Sequence, residues 1–431
     1  MSAPETTRPA RLVTLRLPVW WTFGGLVAGL IAGSLIAGRP VADSILPVTG
    51  PAGALWLRAL QMTIIPLVAA LLVLGITQLA SAARAGATAR RMLVFVAAAL
   101  VFGGVATLIA MPLLLDAVPA PAGAQSLLAA NVEPQEVPGL SEFILSLIAP
   151  NIIAAAAETA MLPLTIFFAL FAVAITRLAP EQSAILRSFF EAVANAMLMV
   201  IGWVLWVAPV GVFALALGVA VRAGGDAAFL TLIHYIATVA AMGGIVLVAA
   251  FVVGALRHGP LRFARALLPA QAVAISTQSS LASLPAMLAS ARRLDISENV
   301  ADFVLPLSVA IFRATSPAMN LAVAIYVAHL FGIELGLTAM LAGLAVAFVI
   351  SIGSVSLPGT ISFVVSIGPI ALAMGVPVEP LALLVAVEMI PDIMRTLANV
   401  TADVALASAT DGEKGENLAT DAAPARSLTD S

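Results

Sequence analysis

Residues 386–407 read AVEMIPDIMRTLANVTADVALA, and the spacing of their polar residues decides how the rest of the chain is read. Glu388, Asp392, Arg395, Asn399 and Asp403 follow one another at intervals of four, three, four and four. In a helix those intervals stack side chains on one face, one turn after the next. The setting is apolar: of 431 residues, 61% are hydrophobic and 10% charged, and the mean hydropathy is +1.09. A soluble domain has roughly 45–50% apolar and about 25% charged residues, so most of this chain is built for lipid. An ionised group at mid-bilayer costs about 2.5–3.5 kcal/mol on insertion scales, so the stripe must face protein or water.

The residue types in the stripe name a chemistry. Arg395 offers a planar fork that can hold a carboxylate through two parallel hydrogen bonds, and Asp392 can hold an ammonium group. Together they suit a zwitterion with an extra carboxylate. The plainer reading is an ion-pair seam between helices, in which Asp392 and Arg395 neutralise each other. Few charges elsewhere are available to complete such a seam.

Apolar segments run near 19–38, 52–80, 91–115, 143–178, 188–221, 228–256, 300–332 and 376–408. Two further segments are broken. Around 262–292, ISTQSSLASLP interrupts an apolar run, and around 336–375, SIGSVSLPGTISF does the same. Each half is too short to cross a hydrocarbon core of about 30 Å, so both read as re-entrant hairpins. Arg84, Arg90 and Arg91 place the 81–91 loop in the cytoplasm, as Arg257, Arg262 and Arg265 do for 257–265, and Arg292 and Arg293 for the end of the first hairpin. The 116–142 loop, with Asp116, Glu133, Glu136 and Glu142, lies outside. These sides are consistent only if the hairpins enter from opposite faces, a hairpin-plus-helix unit repeated in inverted sense. The expectation is an all-α polytopic membrane protein with eight transmembrane helices and two hairpins. Arg8, Arg11 and Arg16 precede a first apolar stretch long enough to span, which reads as a helix rather than a cleaved signal. The polar residues 409–431 read as a disordered cytoplasmic tail.

Several function classes fall away. A net charge of −3, with no basic patch interleaved with aromatics, gives nucleic acid no footing. The absence of cysteine excludes disulfides and thiolate chemistry, and three histidines make a His-rich metal centre an unattractive reading. No nucleophile–base pair, metal-ligand cluster or phosphate-cradling loop is legible, so neither an enzyme nor a cofactor is expected.

The residues carry a resemblance. To about residue 408 the chain resembles the dicarboxylate/amino acid:cation symporters, the glutamate transporter family. Asp392, Arg395-Thr396, Asn399-Val400 and Asp403 are similar to that family's acidic-x-x-Arg-Thr-x-x-Asn-Val-x-x-Asp signature in its eighth helix. STQSSLASLP and SIGSVSLPGT resemble its hairpin tips. Softer matches are IIPL at 64–67, IAPNIIAAAAETAMLP at 148–163 and VLWVAPVGVFAL at 204–215. The resemblance implies a homotrimer in the cytoplasmic membrane, with both termini in the cytoplasm. Helices 1, 2, 4 and 5 (within 19–221) would form a scaffold. Helix 3 and residues 228–408 would form a transport domain that moves as an elevator. It implies that Ser279 and Ser280 contact a substrate carboxylate, that Asp392 takes the amino group, and that Arg395 takes the side-chain carboxylate. Thr396 and Asn399 would complete the pocket, and Pro358 and Gly359 would lie in a gating tip. Family members without the acid at the Asp392 position tend to take C4-dicarboxylates, so its presence points to acidic amino acids.

The departures concern coupling. Where the family's seventh helix carries Asn-Met-Asp-Gly-Thr for sodium, this chain reads Phe312-Arg313-Ala314-Thr315-Ser316. Helix 3 lacks an expected tyrosine, and Ser356 and Ile361 replace usual glycines. Sodium needs several hard oxygen ligands, so at least two sites read as damaged, with Asn399 and Asp403 left for one. Arg313 has three readings: a fixed partner of Asp392 or Asp403, a tethered cation in place of sodium, or a substrate ligand. Proton coupling is the natural replacement, with Glu388, Asp403 and Glu158 as carriers, each of which also has a plain reading as a salt-bridged or surface carboxylate. His234 and His329 read as hydrogen-bonded helix contacts, and Trp20, Trp21, Trp203 and Trp206 as interfacial or packing aromatics. The function expected is proton-coupled transport of an aspartate- or glutamate-like anion or a dicarboxylate. A sodium-independent exchanger or facilitator of C4-dicarboxylates is the alternative, and a transport-dead sensor or scaffold a third.

Overall fold

A computed structural model describes residues 19–83, 86–121, 124, 145, 147–223, 225–353 and 359–411, and all regular structure among them is helical. In chain order the first helices are α1 (Val19–Ile36), α2 (Pro40–Gln61), α3 (Ile64–Ala83) and α4 (Ala87–Ala117). Then come α5 (Ile152–Ala157), α6 (Met161–Ile175), α7 (Pro180–Trp206), α8 (Ala208–Ala223) and α9 (Gly225–His258). The last set is α10 (Pro260–Thr277), α11 (Ser280–Arg293), α12 (Glu298–Ile311), α13 (Ser316–Leu330), α14 (Leu337–Gly353), α15 (Gly359–Ala373), α16 (Leu381–Leu384) and α17 (Met389–Thr410). Among the described residues five stretches are long and apolar enough to cross a membrane: Pro40–Ala80, Ala87–Ala117, Pro180–Trp206, Phe229–His258 and Glu298–Leu330.

Small residues set the closest approach in the fold. Gly25, Gly29 and Gly33 form one face of α1 against α8, and a β-carbon there would overlap the carbonyl oxygens of Pro209, Phe213 and Leu217. Spacing by four brings two helix backbones together, which is how apolar helices pack where water supplies no driving force. A Gly29→Leu variant is therefore expected to lose about 3 kcal/mol, the upper end for overpacking, because the obstacle is backbone and cannot rotate away. Thermal unfolding in detergent measures it, and an unchanged midpoint would remove this contact as the lock between α1 and α8. The junction of α7 and α8 is braced by Trp56, whose indole N–H donates to the Val204 carbonyl at 2.9 Å. Trp21, Trp203 and Trp206 are exposed, as interfacial aromatics would be, while Trp20 has no described side chain.

Two cores organise the rest. One joins α4, α9, α10, α11, α12 and α17 through residues such as Met92, Val246, Phe263, Met287, Leu305 and Val404. The other joins α1–α3, α5–α8 and α13–α16, and takes in α4 through Met111 and Leu115 and α9 through Tyr235 and Met242. The first expected hairpin is present as α10 and α11. Gln278 turns the chain at φ 51°, and the Ser279 hydroxyl caps α11 by accepting from the Ala282 N–H at 3.2 Å. Arms of 18 and 14 residues fall short of the roughly 20 that cross a bilayer. The arms of the second hairpin, α14 and α15, pack on each other, but Ser356 and Pro358 lie outside the described residues.

The expected segments differ from the structure in four places. The 52–80 run starts earlier, at Pro40, and is interrupted between Gln61 and Ile64. The 188–221 run starts earlier, at Pro180, and breaks at Val207. The 143–178 run holds the short α5 before α6. The 376–408 run is not one helix: Pro377 and Pro380 keep its start irregular, and α17 begins only at Met389. Pro391 then falls in the first turn, where a missing N–H costs nothing. At its other end α17 runs to Thr410, past the expected 408, and residues 412–431 lie outside the described residues. That end is tied down. Arg257 donates from Nη1 to the carbonyls of Ser408 and Asp411, both at 2.7 Å, filling acceptors that a helix C-terminus leaves free. The Asp411 carboxylate accepts from the Ser297 N–H and hydroxyl at the start of α12.

Candidate functional site

The site forms where α17 passes the interruption between α12 and α13. In an unbroken helix the Arg313 carbonyl would await the N–H of residue 317, which is proline and has none. Instead the Ser316 N–H takes that carbonyl at 2.9 Å, and Phe312 is extended at φ −114°. The break is fastened to α17. Both the N–H and the hydroxyl of Thr315 donate to Asn399 Oδ1, each at 3.0 Å.

One turn away, Arg395 is the hub. Its Nη2 donates to Glu388 Oε1 at 2.7 Å, its Nη1 to Asn320 Oδ1 at 2.9 Å, and its Nε lies 3.3 Å from Asp392 Oδ1. Asn320 is oriented by its own amide, which donates to Ser316 Oγ at 3.1 Å. The Tyr235 hydroxyl, from α9, donates to Glu388 Oε2 at 3.2 Å. All five stripe residues are at most 6% exposed, so the face read from the sequence is turned fully inward. Asp403 differs from the rest. It is completely buried, and neither carboxylate oxygen has a hydrogen-bond partner. The Ser308 hydroxyl beside it sends its proton to the Leu305 carbonyl. Arg313, partly buried in the break, lies within electrostatic reach of Asp392, Asp403 and Arg395.

The other expected residues fall as follows. Thr396 is buried on α17 next to Arg395. Ser279 and Ser280 are partly buried at the tip of the first hairpin, and α10 is joined to α17 by the Gln271 amide donating to Thr401 Oγ1 at 3.1 Å. Gly359 opens α15, while Pro358 is outside the described residues. Glu158 stands exposed at the end of α5, away from the cluster. His234 is a helix contact, its ring nitrogens 3.0 Å from the Tyr326 hydroxyl and 2.8 Å from the Val118 carbonyl. His329 closes the last turn of α13. Among the described residues no group of three or more His, Cys, Asp or Glu gathers to hold a metal. Of the two residues read as a remaining sodium site, Asn399 has its oxygen engaged twice and Asp403 has both oxygens unengaged.

Three site residues escaped the sequence reading: Tyr235, Asn320 and Thr315. The chain has only two tyrosines, and both are buried against this region, which was a usable signal. An asparagine three residues beyond a membrane-helix proline was another. The larger surprise is the fork of Arg395. Every one of its nitrogens already faces a protein oxygen, so the ion-pair reading and the ligand reading share the same residue.

With this geometry in hand, comparisons with known proteins are specific. The model of the sodium:dicarboxylate symporter family matches residues 19–412. The proton/sodium-glutamate symport protein of Bacillus subtilis (strain 168) is 28% identical over 391 residues, 88% of each chain. The proton/glutamate-aspartate symporter of Escherichia coli (strain K12) is 26% identical over 403 residues, covering 88% of this chain and 89% of that one. The human neutral amino acid transporter A is 28% identical over 253 residues, 56% of this chain and 46% of its own. A family match over nearly the whole chain, an all-helical fold with membrane-length apolar helices, and a buried polar face at a helix break lead to one conclusion: the chain belongs to the sodium:dicarboxylate symporter family and is a membrane transporter, not an enzyme.

Proposed function

We propose that this protein carries a small anionic amino acid of the aspartate or glutamate kind, or a dicarboxylate, across the cytoplasmic membrane, driven by protons rather than sodium. The observation that carries the proposal is Arg395, a buried guanidinium on α17 with Asp392 one turn before it and Thr396 and Asn399 beside it. That set can hold a carboxylate and an ammonium group at once. Ser279 and Ser280, Pro358 and Gly359 would close the pocket from the two hairpins. The names of the two bacterial relatives, both symporters of glutamate, agree with it.

A core shared by α4, α9–α12 and α17, with α13 packed against α4 and α9, supports grouping these helices in one transport unit, as an elevator requires. On this reading α1–α3 and α5–α8 belong to a scaffold that assembles as a homotrimer, and both chain ends face the cytoplasm. Sodium coupling is weakened because Phe312 and Ala314 stand where the family carries Asn and Asp, with Arg313 between them. We read Arg313 as a tethered cation, since its charge reaches both Asp392 and Asp403. A cation that cannot leave with the substrate draws nothing from a sodium gradient. Asp403 and Glu388 are the buried carboxylates available to carry a proton. Sodium-independent exchange of C4-dicarboxylates is the second reading, favoured if neither carboxylate titrates during transport.

The test is uptake of labelled aspartate, glutamate and succinate into proteoliposomes, with sodium and proton gradients imposed separately. Uptake is expected to follow the proton gradient and ignore sodium. Replacing Arg313 with methionine is expected to cut uptake at least tenfold or make it respond to sodium, about 1.4 kcal/mol or more in the energetics of the cycle. Strict sodium dependence of the wild-type protein would overturn proton coupling, and unchanged kinetics in the variant would discard the tethered cation.

A further inference from the structure

We propose that Glu388 holds the place on Arg395 that a substrate carboxylate takes, so that substrate binds only as Glu388 accepts a proton. This rests on the transport reading above and names how protons enter it. Arginine has five N–H groups; here Nη2 already donates to Glu388 and Nη1 to Asn320, and Nε lies 3.3 Å from Asp392. The shortest of the three contacts is the one to Glu388. Both bidentate edges of a guanidinium include Nη2, so a ligand carboxylate bound at either meets the Glu388 carboxylate, 2.7 Å from that nitrogen, as a like charge. Asp392 is the weaker competitor: it sits farther off, at 3.3 Å, and on Nε, leaving the Nη edge alone.

Glu388 is placed to yield. It stands at the turn that precedes α17 rather than inside the helix. The groups that face it are Arg395 and Asp392 from α17 and Tyr235 from α9, with Asn320 of α13 on the far side of the guanidinium. Once displaced from Arg395, a carboxylate that is 1% exposed keeps only the Tyr235 hydroxyl as a partner. A buried ion with so little support is far costlier than its neutral acid. The charge balance agrees. Around the break, Glu388, Asp392 and Asp403 face Arg313 and Arg395, three carboxylates against two guanidinium groups. An acidic amino acid adds one net negative charge, and one proton on Glu388 restores the original balance. The proton comes from the aqueous side from which the substrate arrives, ends on a Glu388 carboxylate oxygen, and leaves when the substrate departs and Glu388 returns to Arg395. Glu388 is thus a positioning residue that acts through Arg395 and does not itself touch the substrate.

The experiment measures binding of aspartate, glutamate and succinate to the purified full-length protein across a pH series, together with proton uptake in weak buffer. For the wild-type protein, affinity is expected to fall by about tenfold per pH unit over the range where binding takes up one proton. Glu388→Gln is expected to flatten that slope, to bind at least tenfold more tightly than wild type at the alkaline end, and to take up no proton. Tyr235→Phe, which removes a single hydroxyl, is expected to move the profile in the same sense by a smaller amount, and keeps the test open should the glutamine variant fold poorly. A slope and proton uptake that persist in Glu388→Gln, or a profile that Tyr235→Phe leaves unmoved, would overturn the role of Glu388 while leaving transport intact. Failure of the wild-type protein to bind any of the three probes at any pH would overturn the transport reading itself.

Discussion

Replacing Arg395 with methionine is expected to abolish uptake and to lower stability by about 3–5 kcal/mol, the cost of breaking a buried ion pair from one side. Methionine fills a similar volume, so the loss comes from charge. Glu388 and Asp392 would remain buried with no cation between them, and Asn320 would lose its donor. Arg395→Lys separates the two roles of the residue. An ammonium group keeps the positive charge, so much of the stability should return on a thermal melt. It is a point charge and not a planar fork, so it cannot serve Glu388, Asn320 and a ligand carboxylate together, and affinity should stay at least tenfold below wild type. Wild-type affinity in the lysine variant would mean that the fork is not what binds the substrate.

Asn399→Ala has the second largest expected effect. A single oxygen accepts both polar hydrogens of Thr315, a residue with no exposed surface. Removing it strands two buried donors at about 1–3 kcal/mol each, so a loss of about 2–6 kcal/mol is expected. The break between α12 and α13 would then be free of α17, and uptake should fall with it. Asn399→Asp keeps an acceptor at the same place and should recover most of the stability. Thr315→Val removes only the hydroxyl and should cost about half as much as the alanine change. An Asn399→Ala protein that melts like the wild type would show that the break holds itself open.

Much of this protein was legible before any coordinates. The 4-3-4-4 spacing from Glu388 to Asp403 placed five polar residues on one face, and all five are buried. Serine-rich interruptions in apolar runs too short to span marked the hairpins, and the first is present as two antiparallel arms. These features were readable because helical periodicity is local and the cost of burying charge in lipid is large. The boundaries were less legible. Two prolines before Glu388 held back the start of α17, and the break at Val207 divided a continuous apolar run.

Of the partners of Arg395, only Asp392 was legible, through the ion-pair reading. By itself the sequence determined that this is an all-helical membrane protein with an arginine-centred polar face on its last helix, because composition and a 3.6-residue repeat are properties of short windows of chain; that it is a transporter came from its resemblance to the glutamate transporter family. Only the tertiary structure decided that Arg395 is held by Glu388, Asn320 and Asp392 together, that Tyr235 reaches Glu388 from 153 residues away, and that Asn399 ties down the helix break. A hydrogen bond between distant helices depends on where their axes cross and how each side chain turns, and no local pattern carries that information.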